Sequence, residues 1–141
     1  MLLIFVTIAS FVLLENNEVT MASSIDYDAL DSNMVSLVRA LNAFPGVTTI
    51  GSCGGHENPS EIQRPLGEWF VTFRVAHTKG GWKSLEYIAG AVLLDPWRTS
   101  LKVHTSQPGY ATGRALFFGL EGWDYADPDR MAAYLSRVRQ Q

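Results

Sequence analysis

The chain has 141 residues and a formal net charge of −3, and 47% of its residues are hydrophobic while 18% are charged. This composition is typical of one folded globular domain and excludes a disordered tail. The acidic charge argues against a nonspecific DNA or RNA binder, because such proteins present a field of basic side chains to phosphates. We therefore expect no DNA partner, whereas a local arginine cluster is compatible with a small nucleotide-like ligand or a single RNA loop.

Residues 1–22 form an N-terminal extension that we set apart from the domain. Its apolar run, MLLIFVTIASFVLL, has no preceding Lys or Arg and is shorter than the roughly 20 residues that a membrane span needs. Three interpretations stay open: a start-site artefact with translation from Met21 or a disordered extension, a signal-like or anchor segment, or an ordered core element. A single cysteine is typical of a reducing compartment. We expect a cytoplasmic protein without membrane attachment, unless the extension is retained as an anchor.

Residues 23–141 are predicted to form a single domain that starts with a helix. Asp31 or Ser32 is available as its N-cap, and the segment at positions 44–46 ends it. The apolar residues at helical spacing are Met34, Val35, Leu37, Val38 and Leu41. The β-branched run VTTI at positions 47–50 then predicts a short strand, followed by a polar glycine-containing loop from Gly51 to Gly67.

Alternating apolar residues predict a second strand, EWFVTFRV, at positions 68–75. An amphipathic helix is expected over WKSLEYIAGAVL at positions 82–93, and a third strand over TSLKVHT at 99–105. A loop from Ser106 to Gly113 leads into a fourth strand at 114–122. The last helix begins with Asp127 as N-cap and Pro128 as its first residue.

The predicted order is α-β-β-α-β-β-α, which indicates an α+β domain with helices packed on a sheet of about four strands. The order also suggests a duplicated helix-strand-strand unit. If the two halves are related by a pseudo-twofold axis, the loops at 51–67 and 106–113 occupy equivalent positions. We then expect these loops to meet in a shared ligand cleft.

The segment GSCGGH at positions 51–56 contains the only cysteine of the chain. Two glycines separate Cys53 from His56, so a turn can bring thiol and imidazole together. A nearby imidazolium or converging N–H groups would activate the thiol as a nucleophile. Cys53 and His56 are therefore the candidate catalytic residues of a cysteine-dependent enzyme such as a hydrolase.

A zinc site is the second interpretation of this segment. Zinc accepts cysteine and histidine ligands, and Cys53, His56, His77 and His104 are the complete set of such residues in the chain. Structural zinc sites usually contain two close ligand pairs, and the sequence offers only one. We therefore assign no metal site from the sequence, and we keep a plain structural turn as a further alternative.

An anion-binding loop is the third interpretation. Ser52, Gly54 and Gly55 can turn successive N–H groups toward one point, although the segment is neither a Walker loop nor a GxGxxG fingerprint. The other candidate ligand-binding residues are Arg74 and Arg114 for charge, Tyr110 for stacking on a base or ring, and His104. The strand aromatics, by contrast, are predicted to belong to the core: Trp69, Phe70, Phe73, Phe117 and Phe118.

The segment LVRALNAFPGVTTIGSCGGH at positions 37–56 resembles the opening motif of the tRNA wybutosine-synthesising methyltransferase-like family. The matching residues are Leu37, Asn42, Pro45, Thr48, Thr49, Ser52, Cys53 and Gly55. Gly51 and His56 stand where the family has serine and arginine. The resemblance implies an α/β fold and S-adenosylmethionine-dependent methylation of a modified guanosine in tRNA. Similar SCxGH segments occur in small bacterial and phage proteins.

We therefore expect a small ligand-binding protein that takes S-adenosylmethionine or a nucleotide and serves RNA modification, with a methyltransferase-like activity. The alternatives are a noncatalytic bacterial or phage binding module and a cysteine-dependent hydrolase.

Overall fold

The computed structural model describes residues 25–104 and 115–141. Three helices and four strands follow one another in the order α-β-β-α-β-β-α, which confirms the predicted α+β fold class. Their bounds are α1 Val35–Asn42, β1 Val47–Cys53, β2 Trp69–Ala76, α2 Lys79–Val92, β3 Thr99–His104, β4 Ala115–Gly122 and α3 Pro128–Arg139. The predicted N-terminal extension lies outside the described residues. Among the helices of the described part, none is both long and apolar enough to cross a membrane.

The strands form one antiparallel sheet in the order β1-β2-β4-β3. This arrangement is that of an α+β protein and differs from the α/β fold that the family resemblance implies. Alternate residues of β2 are buried, and Phe73 stacks on Phe118 of β4 at 5.8 Å between ring centroids. The helices cover this face of the sheet with fully buried side chains such as Leu37, Ile88 and Leu135. We call the opposite face, which these helices leave uncovered, the open face.

The helix starts agree only in part with the sequence signals. Asp127 caps α3 by accepting from the Asp129 amide, and Pro128 is the first residue, as predicted. Helix α2 starts three residues before the predicted Trp82, because the Thr78 hydroxyl accepts from the Gly81 amide. A 3₁₀ turn at Ser32–Met34 precedes α1.

Strand β1 is longer than predicted and contains the first half of the GSCGGH segment. The pairing with β2 shifts between Thr49 and Gly51, and it then continues through Ser52 to Cys53 opposite Phe70. An extra residue at a β-bulge lets a strand continue past a local irregularity. The predicted glycine loop therefore begins at Gly54, and Cys53 is held by the sheet.

The predicted shared cleft between two loops does not agree with the strand directions. Strand order and antiparallel pairing are compatible with a pseudo-twofold axis between β2 and β4, perpendicular to the sheet. Such an axis places equivalent loops at opposite ends of the sheet. Cys53, where the first loop starts, is in register with Phe70, whereas His104, before the second loop, is in register with Phe117 and Arg74. The second loop itself lies outside the described residues.

Asn42 at the end of α1 joins this helix to β1. Its amide nitrogen donates to the Thr49 hydroxyl at 2.8 Å and to the Val38 carbonyl at 3.0 Å. Its amide oxygen accepts from the Thr49 backbone N–H at 3.0 Å. Asn42 and Thr49 both match the family motif, and these bonds give each of them a structural role in joining α1 to β1.

We expect Asn42→Ala to lower the free energy of unfolding by about 1–3 kcal/mol, because the substitution leaves polar groups of β1 without their partner. Urea denaturation followed by tryptophan fluorescence measures this change. Ser36→Ala on the exposed side of α1 is the control, for which we expect a change within about 0.5 kcal/mol. Equal effects of both substitutions would contradict the assigned role of Asn42.

Candidate functional site

Three side chains with different chemistry meet at the end of β1. Nε2 of His56 lies 3.2 Å from Oδ2 of Asp31. A nitrogen of His56, a carboxylate oxygen of Asp31 and Sγ of Cys53 all lie within 4.8 Å of one another. The turn through Gly54 and Gly55 thus places the Cys53 and His56 side chains near each other, and Asp31 joins them from the segment before α1.

Backbone groups fix the positions of these side chains. The Gly54 N–H donates to Oδ2 of Asp31 at 2.7 Å, and the Arg64 N–H donates to Sγ of Cys53 at 3.3 Å. The His56 N–H in turn donates to the Arg64 carbonyl at 2.9 Å. The loop residues around Arg64 therefore run beside the segment 53–56 and cover Cys53. Cys53 is buried, with 4% of its surface exposed.

Gly54 and Gly55 already make close contacts within the protein. The Gly54 amide binds an anion, as the sequence suggests for this loop, but that anion is the Asp31 carboxylate. Gly55 has φ +94°, and a Cβ there would lie 2.8 Å from the Glu68 carbonyl oxygen and 2.9 Å from that of Pro65. Gly55 is therefore needed for a close approach between two backbone segments.

Ser52 points to the opposite side of the sheet from Cys53. It lines a small pocket of about 110 Å³ together with Ile25, Leu30, Val38 of α1 and residues 49–51 of β1. Its Oγ is buried and has no hydrogen-bond partner among the described residues. Pockets for drug-sized ligands usually measure about 300–1,000 Å³. The pocket at Ser52 has the size for a few water molecules, so a ligand as large as a nucleotide requires another surface.

The open face brings together other predicted ligand-binding residues. Arg74 pairs with Phe117, and Phe117 pairs with His104, so the three lie in one row across β2, β4 and β3. The His104 ring lies over Gly119, where an added Cβ would meet the imidazole. Tyr110 and Arg114, the remaining candidates, lie outside the described residues.

A second cluster of charge lies at the other end of the open face. Glu121 is bound on one oxygen by Arg64 at 3.1 Å and on the other by Lys102 at 2.6 Å. The Arg64 guanidinium also lies 5.6 Å from the centre of the Phe70 ring. Arg64, Arg74 and Lys102 thus place three basic side chains on this face, two of them paired with Glu121, although the chain as a whole is acidic.

Two of the five aromatic residues predicted for the core lie on the open face instead. Phe70 and Phe117 are half-buried, whereas Trp69, Phe73 and Phe118 are almost fully buried. Strand alternation explains this difference, because successive side chains point to opposite faces of a sheet. The open face therefore offers two partly accessible rings beside its basic side chains.

Asp31 is the site residue that sequence reasoning missed. The sequence interprets it as a possible N-cap, but its carboxylate binds the Gly54 amide and approaches His56 instead. It lies 22 positions before Cys53 in the sequence. No spacing rule connects them, and only the packing of α1 beside β1 brings the carboxylate to the glycine turn. His77, by contrast, is exposed and packs edge-on against Trp82 at 5.4 Å.

The Asp31, Cys53 and His56 cluster could support two kinds of chemistry. In a cysteine enzyme, His56 activates the thiol and Asp31 orients the imidazole. That reaction requires a substrate carbon to reach Sγ, and the buried position of Cys53 disfavours such access. A metal ion needs no such substrate access to Sγ, and the three ligand atoms lie within 4.8 Å of one another. The geometry therefore favours metal coordination over nucleophilic attack.

Comparison with known proteins gives no match of this chain to a family model, to a curated protein or to a solved structure.

Proposed function

We propose that the protein binds a nucleotide or a short single-stranded RNA segment on the open face of its sheet. The observation that carries this proposal is the row formed by Arg74, Phe117 and His104 across three adjacent strands. Such a row combines a cation, a ring for stacking and an imidazole on one face of the sheet. These are the groups with which proteins bind single-stranded nucleic acid.

The charge of the open face supports an anionic ligand. The side chain of Lys102 is 58% exposed, and that of Arg64 is 44% exposed. Both are held in place by Glu121, which reduces the entropy lost when they bind a phosphate. The chain thus concentrates basic groups on this face without a basic overall composition.

The spacing of the two partly exposed rings suits more than one base. Phe117 is in register with Arg74, and Phe70 precedes Arg74 by four residues on β2. A strand rises by about 3.3 Å per residue, so the two rings are separated by about 13 Å along the sheet. An extended ligand that displaces the Arg64 guanidinium from Phe70 can place one base on each ring while its phosphates contact Arg74 and Lys102.

The methyltransferase resemblance adds S-adenosylmethionine as a cofactor to this proposal. The described pocket at Ser52 is too small for that molecule, so we assign S-adenosylmethionine to the open face as part of this proposal. Isothermal titration of the protein with S-adenosylmethionine, alone and with RNA present, tests this part separately from RNA binding. If neither titration shows heat of binding, the proposal reduces to a nucleic-acid-binding module without methyl transfer.

Fluorescence anisotropy with a labelled single-stranded oligoribonucleotide tests the main proposal. We expect Phe117→Ala to weaken binding by about 5- to 150-fold, because stacking of one base contributes about 1–3 kcal/mol. We expect Arg74→Ala to weaken binding and to reduce the dependence of affinity on salt, because one phosphate contact is lost.

Lys83→Ala is the matched control for Arg74→Ala. Lys83 carries the same charge but lies on α2, where it pairs with Glu86 and contacts Tyr87. The control should bind RNA as the wild type does. Two outcomes would contradict binding of bases on the open face. The first is that Arg74→Ala and Phe117→Ala bind RNA as tightly as Lys83→Ala. The second is that the protein binds polyphosphate as tightly as it binds RNA.

A further inference from the structure

We infer that Asp31, Cys53 and His56 form a binding site for Zn²⁺. This inference is independent of the proposed RNA binding, because none of the three residues belongs to the row of Arg74, Phe117 and His104. It also differs from the sequence-based zinc hypothesis, since Asp31 replaces His77 and His104 in the ligand set. Carboxylate, thiolate and imidazole are the three kinds of side chain that zinc sites use.

The distances between the ligand atoms agree with zinc coordination. Zn–N and Zn–O bonds of about 2.0–2.2 Å and a Zn–S bond of about 2.3 Å, arranged as a tetrahedron, separate the ligand atoms by about 3.3–3.6 Å. His56 Nε2 and Asp31 Oδ2 lie 3.2 Å apart, close to that spacing. All three ligand atoms lie within 4.8 Å, so shifts of about 1 Å complete the geometry around the metal.

Backbone donors already orient two of the ligands. The Gly54 N–H holds Oδ2 of Asp31, and the Arg64 N–H points at Sγ of Cys53. Hydrogen bonds of this kind position metal ligands and stabilise the negative charge that a ligand brings. A hydrogen bond from a backbone N–H to a cysteine sulfur is also favourable when that sulfur is a metal-bound thiolate. The same contacts that bury Cys53 thus prepare it for coordination.

Charge neutralisation favours a divalent cation at this site. A carboxylate and a thiolate together balance the charge of Zn²⁺ when His56 coordinates as the neutral imidazole. In this arrangement His56 coordinates through Nε2 as the neutral tautomer that carries its proton on Nδ1, and Cys53 coordinates as a thiolate after releasing its Sγ proton to solvent. A hard cation such as Mg²⁺ prefers oxygen ligands, so the sulfur and nitrogen atoms select zinc or a similar transition metal.

Three protein ligands leave a fourth coordination position for water or for an oxygen atom of a ligand. The side chains of His56 and Asp31 are 32% and 34% exposed, so the cluster reaches the protein surface on that side. Zinc sites with three protein ligands and one open position are those that act on a bound water or substrate.

Titration of the full chain with Co²⁺ and then Zn²⁺ tests this inference. Bound Co²⁺ should give a thiolate-to-cobalt charge-transfer absorption at one equivalent, and Zn²⁺ should remove it by displacement. We expect Cys53→Ser, His56→Gln and Asp31→Asn each to weaken metal binding by more than about a hundredfold, which exceeds the loss usually caused by removal of an outer-shell partner. The control His77→Ala removes a histidine outside the cluster and should bind like the wild type.

Alkylation of Cys53 gives a second measurement that needs no variant. Cys53 is buried, so iodoacetamide reaches it only when the loop around Arg64 opens, and the labelling is followed over hours. The rate of this slow labelling should fall when Zn²⁺ is added and recover when a chelator removes the metal. The inference is overturned if Zn²⁺ leaves the labelling rate unchanged, or if the cobalt absorption is the same in the wild type and in Cys53→Ser. Circular dichroism of each variant shows whether a loss of binding comes from loss of the fold.

Discussion

Replacing Phe73 by alanine is expected to lower the free energy of unfolding by about 3–5 kcal/mol, the cost usual for removing a fully buried aromatic ring. Phe73 is 0% exposed and stacks on Phe118 in the middle of the sheet. Domains of this kind are stable by about 5–15 kcal/mol in total, so this loss removes a large share of the stability. Chemical denaturation monitored by tryptophan fluorescence measures the change.

Phe70→Ala on the same strand is the matched control for Phe73→Ala. Phe70 points to the open face, where it is half-buried beneath the Arg64 guanidinium. We expect the substitution to cost at most about 2 kcal/mol, because the ring loses less buried surface. If Phe73→Ala does not fold, Phe73→Leu replaces it in the comparison. An equal cost at both positions would contradict a sheet with one core face and one open face.

The second large effect is expected at Gly55, where Gly55→Ala should destabilise the protein by about 2–5 kcal/mol. A side chain at φ +94° costs about 1–3 kcal/mol in backbone strain. The added Cβ would also press against two backbone carbonyl oxygens, and such overpacking costs about 1–3 kcal/mol. The loop around Arg64 must then move away from the segment 53–56, which weakens the cover over Cys53.

Gly51→Ala in the same GSCGGH segment is the control for Gly55→Ala. Gly51 lies in β1 with a negative φ, and an added Cβ there would meet nothing within 4 Å among the described residues. We expect this variant to keep the stability of the wild type within about 0.5 kcal/mol. Urea denaturation of both variants measures the difference, and the rate of iodoacetamide labelling shows whether Cys53 reacts faster in Gly55→Ala than in Gly51→Ala. Identical behaviour of the two variants would contradict the backbone role of Gly55.

The sequence predicted the order of the elements well because each element carries a local signal. The alternation of Trp69, Val71, Phe73 and Val75 predicts both the strand and its buried face, and Asp127 with Pro128 predicts the start of the last helix. The same alternation also predicts that Phe70 points away from the core. That consequence is missed when an aromatic residue is assigned to the core by its type alone.

The end of β1 could not be predicted from the local sequence. The β-branched residues Thr48, Thr49 and Ile50 favour a strand, whereas Gly51 has low strand propensity. The local sequence therefore predicts that the strand ends at Ile50. Hydrogen bonding to β2 after the irregularity at Ile50 outweighs that propensity and extends the strand to Cys53. Consequently the cysteine belongs to a rigid sheet edge, and only Gly54 and Gly55 form the turn.

The sequence by itself determined the α+β class and the order of elements, because apolar periodicity and capping residues act over short distances along the chain. It also placed Cys53 and His56 near each other, since only two glycines separate them. Tertiary structure alone decided that Asp31 joins that pair, and that Arg74, Phe117 and His104 share one row. The physical reason is that strand register and helix packing bring together residues that are distant in sequence, and these contacts leave no local pattern in the chain.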